Sequence, residues 1–514
     1  MAMTPLMSLL RRAIAAHTSV TPSHEAPVGG TGVSRRAFLA TAATAVAVAS
    51  CGKPAAVLAP STRIAIVGGG LAGLNCAWHL HTKGIRADVY EASARTGGRI
   101  LTGRDIIAPG SVTELGGEFI DSSHTDMIAL AKEFQLELLD LRGAPSQRLH
   151  DVFYFESRVY TEADVTREIG PFIPRFAADI ALLPRRLTDL SGSKGEALDR
   201  MSLDAYFHSC GITGWIRSFL QTAFVTENGL DLAEQSTLNF LSVIASQLQG
   251  NPFRWYGESD ERFRLKDGNE QIVGHLAAAV QKSIHTGHVL ESIRSYGSSY
   301  RLSFRVDGAS KVIDADMVVL ALPFSLLRSV DIGVELPDVK RQAINEARYG
   351  LNAKIVVGFE RPFWHEQSHS GTIYSDAPVQ LAWDNTSAQG ITEGGLTFFS
   401  GGANSRLLWS NGITNSVNAM MNGIRPIWHE APRDPVKING FNWPDYPWSK
   451  GSYSTYAPGQ WTKFYGTERK SVGNILFAGE HCSREGKGYM NGAAETGRLA
   501  AEEIIRAHSN ARVR

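Results

Sequence analysis

Cysteine is scarce, with 4 in 514 residues. A disulfide-stapled scaffold is excluded, and no cysteines stand at metal-ligand spacing. An excess of one charge is missing too: 51 basic residues balance 51 acidic ones, for a net charge of +0. A polyanion requires a basic surface, so this balance argues against nucleic acid as a partner. Beyond Cys51 no apolar run reaches the length of a membrane span. Internal repeats and low-complexity tracts are also lacking. What is present is a hydrophobic fraction of 43% on a long chain, enough for roughly two or three domains with substantial cores.

The most informative stretch runs from Arg63 to Arg99. Ile64 to Val67 is a short apolar run with the β-branched content of a buried parallel strand. Gly68, Gly70 and Gly73 follow in GxGxxG spacing, Leu71 to Gly84 reads as a helix, and Ala87 to Tyr90 reads as a second strand ending at Glu91. In a dinucleotide site Gly68 permits the tight turn, Gly70 admits a pyrophosphate to the backbone, and Gly73 lets helix and strand approach. The helix N-terminus supplies N–H groups to the anion, and Glu91 accepts from ribose hydroxyls. A lone GxGxxG is weak evidence, but strand, helix and terminal acid all fall where the fingerprint requires them.

Continuing past Glu91, Arg95, Gly97, Gly98 and Arg99 complete the pattern E-A-x-x-R-x-G-G-R, which resembles the flavin amine oxidase superfamily of monoamine, polyamine and L-amino-acid oxidases. The resemblance implies FAD, with Arg95, Gly98 and Arg99 adding donors toward the diphosphate and flavin. It extends in blocks over most of residues 60 to 508. Glu114 to Asp121 resembles the segment passing the flavin ring, with Gly116 and Gly117 against the isoalloxazine and Phe119 on the substrate side. Gly268 and Asn269 resemble the turn that leads into a helix under the cofactor. Val289 to Ile293, Tyr300 to Val306 and Met317 to Leu322 are strand-like, and Val289 is assigned to the cofactor site. Lys354 opens an apolar strand and matches the lysine that holds a water beside flavin N5, with Phe363 and Trp364 at fitting spacing. Ser452 stands where monoamine oxidases carry the covalent flavin cysteine, so FAD is expected to be non-covalent. Ile475 to Ala500 resembles the closing motif: Gly479 and Glu480 contact the cofactor, Met490 begins a helix under the flavin, and Tyr453 and Tyr489 face each other across the substrate.

The implied fold is α/β, a discontinuous Rossmann-like FAD-binding domain (61–125, 262–335, 441–508) with an inserted α+β substrate-binding domain (126–261, 336–440). Within the insertion, Met127 to Leu139, Ile180 to Leu190 and Leu203 to Phe224 show helical spacing. The implied reaction is oxidative deamination of a primary amine or an L-amino acid, catalysed by Lys354, Tyr453 and Tyr489, with O2 or another acceptor reoxidising the flavin. Many L-amino-acid oxidases carry an arginine in the segment matching Glu118 and Phe119, and that arginine is absent here. Two other classes remain open: an FAD-dependent dehydrogenase or desaturase of a non-amine substrate, and a non-catalytic flavin-binding lipoprotein.

At the N-terminus, Ser34, Arg35, Arg36, Ala37, Phe38 and Leu39 match the twin-arginine export pattern, and Ala37 to Ser50 is a short, weakly apolar segment. Val48 to Cys51 resembles a bacterial lipobox. Residues 1–51 are thus expected to be an export signal, 52–60 a linker, and the location the periplasm or cell envelope, with a lipid anchor at Cys51 as the membrane contact. No metal site and no oligomeric state are read from the sequence.

Overall fold

Ile64–Val67 is buried at every position because it lies at the centre of a five-stranded parallel sheet. The strand order is Ile475–Phe477, Met317–Leu320, Ile64–Val67, Asp88–Tyr90, Ile284–His285. A parallel sheet covered on both faces needs apolar residues at both strand parities. Ile64 and Ile66 pack into a core with the helices Leu71–His81 and Met490–Arg512, while Ala65 and Val67 face the core shared with the antiparallel strands Val289–Tyr296 and Ser299–Val306. The two helices are tied directly, Asn75 Nδ2 donating to the Ala494 carbonyl at 2.7 Å.

A second sheet of seven strands runs Lys437–Asn442, Ala353–Phe359, Gly394–Ser400, Leu381–Asp384, His369–Ser375, His150–Phe155, Arg158–Tyr160. Ile355, Val357 and Phe398 share one core with residues of the helices Gly402–Ser410 and Ile413–Ile424. Phe153 and Phe155 belong to another, with the helices Gly214–Asn228 and Thr237–Ala245. The architecture is therefore the mixed α/β fold expected, its parallel sheet assembled from separated stretches of chain. This computed structural model describes residues 62–143, 149–245 and 260–512. The export signal expected over 1–51, with Cys51, and the linker expected over 52–60 lie outside the described residues. Among the described residues no helix is long and apolar enough to cross a membrane.

Several expectations in the insertion are corrected. Thr125–Glu133 is helical, but the chain turns at Gln135 (φ +55°) and Leu138–Asp140 is a strand paired with Phe263–Leu265. The helix expected from Ile180 instead ends there; Pro184 interrupts it, and only the 3-10 turn Leu187–Asp189 follows. The run from Leu203 to Phe224 splits into Leu203–Ser209 and Gly214–Asn228, with Gly211 in the left-handed region between them. Strands His150–Phe155 and Arg158–Tyr160 form a hairpin whose turn residues Glu156 and Ser157 have φ of +50° and +60°. That geometry usually recruits glycine or asparagine, so the turn left no sequence signal. The boundary expected at 440/441 falls inside the strand Lys437–Asn442.

Candidate active site

A continuous cavity is lined by the turns after Ile64–Val67 and Met317–Leu320 and by Lys354, Trp383 and Phe399 of the seven-stranded sheet. Ligands of open α/β sheets lie at the carboxyl ends of the strands. The chain builds this end of the cavity from backbone. Gly68 has φ +108°, a region open to glycine, and a Cβ on Gly73 would collide with the Gly68 carbonyl oxygen. The helix Leu71–His81 begins at Gly70 with no side-chain cap and no acidic residue in its first turn, so its N–H groups are available to an anion. Glu91 is held by two backbone donors, Gly69 N at 2.7 Å and Ser93 N at 2.8 Å, and lines the same space.

Of the residues expected in the site, Gly68, Gly70, Glu91, Arg95, Gly98, Arg99, Gly116, Gly117, Phe119, Lys354, Tyr453, Gly479, Glu480, Tyr489 and Met490 all line this one cavity. Gly73 lies beneath the turn, as its packing task requires. Val289 is not among the residues lining it; it opens the strand Val289–Tyr296 opposite Arg305, directly after His288, whose N–H donates to the Glu91 carbonyl. Phe363 and Trp364 are core residues packed with Trp428, away from the cavity.

Both arginines donate to protein acceptors. Arg95 donates to the carbonyls of Thr96, Gly98 and Ile100, bracing its own loop. Arg99 Nη1 donates to the Ser452 carbonyl at 2.7 Å and to Glu480 Oε1 at 2.9 Å. Glu480 also accepts from Ser454 N, Ser454 Oγ and Gly488 N, so it clamps segments from three parts of the chain and has little capacity left for a ligand. Burial alone would raise its carboxyl, but the charge of Arg99 and the bond from Ser454 bring it down to about 2.

Lys354 is enclosed, with Nζ donating to Glu118 Oε2 at 2.6 Å and to the carbonyls of Glu114 and Gly116, each at 3.0 Å. An ammonium has three protons, and three protein acceptors engage them. A water at this lysine would therefore have to share a proton already donated. Glu118 takes a second bond, from Trp383 Nε1 at 3.1 Å, and Trp383 packs on Phe119 and Phe399 at ring separations of 5.8 and 5.7 Å. Tyr453 Oη donates to the Thr226 carbonyl at 3.1 Å, and burial, with Glu227 nearby, pushes its phenol well above the ordinary value. Tyr489 stands 4.9 Å from the His124 ring. Ser452 Oγ donates to Asn352 Oδ1 at 2.7 Å, a hydroxyl where covalent flavin attachment needs a thiol.

A family model described as flavin containing amine oxidoreductase matches residues 71–505. The chain belongs to that family. It is an FAD-dependent oxidoreductase acting on the CH–NH2 group of amines. Among its relatives, an amine oxidase [flavin-containing] of Danio rerio is 25% identical over 463 residues, covering 86% of this chain and 85% of the relative. The amine oxidase [flavin-containing] B of Homo sapiens is 24% identical, covering 86% of each chain. Of solved structures, cyclohexylamine oxidase from Brevibacterium oxydans IH-35A aligns with a TM-score of 0.76 at 22% identity, over 87% of this chain and 99% of the other. Wild-type putrescine oxidase bound to putrescine aligns at 0.73 and 22%, with the same coverage. These structural likenesses establish the fold.

The residues present fit FAD. The uncapped helix start at Gly70 suits a diphosphate, Glu91 stands where a ribose would be held, and Gly116, Gly117 and Met490 line the opposite end, with the Met490 side chain against Gly117. Sequence reasoning missed Glu118, Glu261, Asn352, Trp383 and Phe399 among the lining residues. Glu118 lay inside a quoted motif; the others carry no local pattern. Among the described residues no group of His, Cys, Asp and Glu could hold a metal.

Proposed function

We propose that the enzyme oxidises amines that carry no α-carboxylate, in preference to L-amino acids. One observation carries this reading: among the described residues, the Arg and Lys side chains lining the cavity, Arg95, Arg99 and Lys354, all bond to protein acceptors. A substrate carboxylate needs a free guanidinium or ammonium, since burying it unpaired costs several kcal/mol. Phe119, Trp383, Phe399, Tyr453 and Tyr489 instead line the cavity with aromatic surface.

FAD, when bound, supplies a hydride acceptor for the carbon bearing the nitrogen. The chain's part is to hold that carbon in place and keep the nitrogen uncharged, because an ammonium has no lone pair to assist. Tyr453 and Tyr489 guide the amine, and Lys354 fixes the Gly116–Gly117 turn. We assign the parallel sheet with its helices to cofactor binding and the seven-stranded sheet with its helices to substrate binding. A stopped-flow screen pairing each L-amino acid with its decarboxylated amine tests the reading. The amine is expected to reduce the flavin about a hundredfold faster, corresponding to ~2.7 kcal/mol. Preference for the amino acid would overturn it.

The proposed location is the cell envelope, reached by twin-arginine export and with Cys51 as the lipidated residue. What supports it is the Ser34 to Leu39 pattern and the Val48 to Cys51 sequence. Replacing Arg35 and Arg36 by lysine should leave precursor in the cytoplasm; continued export of the double variant would defeat the assignment.

A further inference from the structure

His124 packs against Tyr489, which lines the cavity, and is itself buried without being among the lining residues. The two rings meet edge to face, with centroids 4.9 Å apart and planes at 66°, an arrangement that aromatic quadrupoles favour. The imidazole is fixed by the turn it closes. Nδ1 accepts from the Asp121 N–H at 2.9 Å, Nε2 lies 3.2 Å from Asp121 Oδ2, and the His124 N–H donates to the Asp121 carbonyl at 2.9 Å. The turn is tied to the chain on both sides. Asp121 Oδ1 accepts the N–H groups of Asp260 and Glu261, and Oδ1 of Asn491, just past Tyr489, accepts those of Asp126 and Met127 at 3.0 and 3.1 Å. His124 thus joins a rigid turn to the ring of Tyr489.

The same bonds decide its protonation. A nitrogen that accepts a backbone N–H carries no proton of its own, so Nδ1 is bare and the single ring proton is on Nε2, toward the Asp121 carboxylate. A second proton, on Nδ1, would set two donors against each other, break the bond to Asp121 and turn the ring. The groups facing the imidazole are Asp121, the Tyr489 ring, and Asp260, which pairs with Arg142 at 3.2 Å; Glu261 lies beyond Asp121, and Asp126 on the following helix pairs with Arg498. Burial outweighs the carboxylates and holds the imidazole below its ordinary pKa, so the neutral form prevails at neutral pH. We propose that His124, in its neutral form, is a positioning residue for amine oxidation, setting where the Tyr489 ring stands in the substrate wall. This rests on the amine reading given above, in which Tyr489 guides the amine.

The test uses the FAD-loaded enzyme, benzylamine and two variants that divide the functions of the imidazole. His124→Asn puts an amide oxygen near the place of Nδ1, keeping an acceptor for the Asp121 N–H, and removes the ring. His124→Phe keeps a ring against Tyr489 and removes the acceptor. His124→Asn is expected to retain FAD and to raise KM about fivefold with kcat little changed, the scale of one aromatic pair, while His124→Phe stays within about twofold of native. The ratio of native to His124→Asn kcat/KM should shrink toward one from about pH 8 to about pH 5, because acid takes from the native protein what the substitution has already removed. Protonation of benzylamine acts on both proteins alike and cancels. Native KM in His124→Asn, or a ratio that does not change with pH, would overturn the proposal; so would a defect confined to His124→Phe, which would mean that His124 serves the turn alone. If the variants do not fold, the native protein decides through benzyl alcohol, which has no titrating group. Its dissociation constant, read from the flavin absorption, should rise about fivefold over the same interval, the scale of the same ring contact. Protonation of Glu261 would act the other way, because an uncharged carboxyl suits an uncharged ligand. Affinity that stays constant or tightens in acid would overturn the proposal. Failure of every amine to bleach the flavin would instead overturn the amine reading itself.

Discussion

Glu480→Ala is expected to lose FAD and to unfold at a lower temperature. The substitution removes the acceptor of four hydrogen bonds, from Arg99, Ser454 N, Ser454 Oγ and Gly488 N, and leaves the Arg99 guanidinium with the Ser452 carbonyl alone. Breaking a buried ion pair from one side costs about 3–5 kcal/mol. Arg99 keeps 24% side-chain exposure, so the lower end applies. About 3 kcal/mol expressed in cofactor binding is a loss of more than a hundredfold. The pH dependence has a definite sign. A carboxyl lowered from 4.5 to about 2 contributes its full stability above 4.5 and loses it as pH falls toward 2. The difference in unfolding free energy between the native protein and Glu480→Gln should therefore be constant near neutrality and shrink in acid. An alanine variant that keeps its flavin and its unfolding temperature would show that the clamp is dispensable.

The cofactor half of the molecule was legible because its information is local. A strand, a glycine turn, a helix start and an acid occupy Ile64 to Glu91, and each glycine answers to a backbone contact within that unit, as Gly73 does against the Gly68 carbonyl. The motif E-A-x-x-R-x-G-G-R identified which arginines matter without revealing their partners. Glu480 lies 381 residues from Arg99, and no spacing rule links them. The substrate end was less legible for the same reason. Glu118 meets Lys354 across 236 residues and Trp383 across 265, so the polar wall exists only once the seven-stranded sheet has formed. Within that sheet the hairpin at Glu156 and Ser157 lacks glycine, which hid two strands in a region whose apolar residues read as helix. At Val289 the strand was legible, since its apolar and β-branched residues lie where Val289–Tyr296 forms, but a strand pattern does not specify which of its residues faces a cavity.

Lys354→Met is expected to lower both stability and turnover, and a second substitution separates the two effects. The lysine joins the strand Ala353–Phe359 to the turn at Gly116 and Gly117 through its bonds to Glu114 O, Gly116 O and Glu118 Oε2. Methionine preserves the length of the stem but leaves Glu118 buried with Trp383 Nε1 as its remaining bond. Removing one member of such a pair costs about 3–5 kcal/mol, whereas removing both charges is often close to neutral. The double variant Lys354→Met/Glu118→Gln should accordingly recover most of the lost stability. Its turnover is the discriminating measurement. If the ammonium takes part in the chemistry at the flavin, whether in amine oxidation or in reoxidation, the double variant stays at least tenfold slow although it is stable and holds FAD, because a restored fold does not restore a proton donor. If Lys354 only ties the turn to the sheet, rate and stability return together. Native rates for the single variant in both half-reactions would exclude either role.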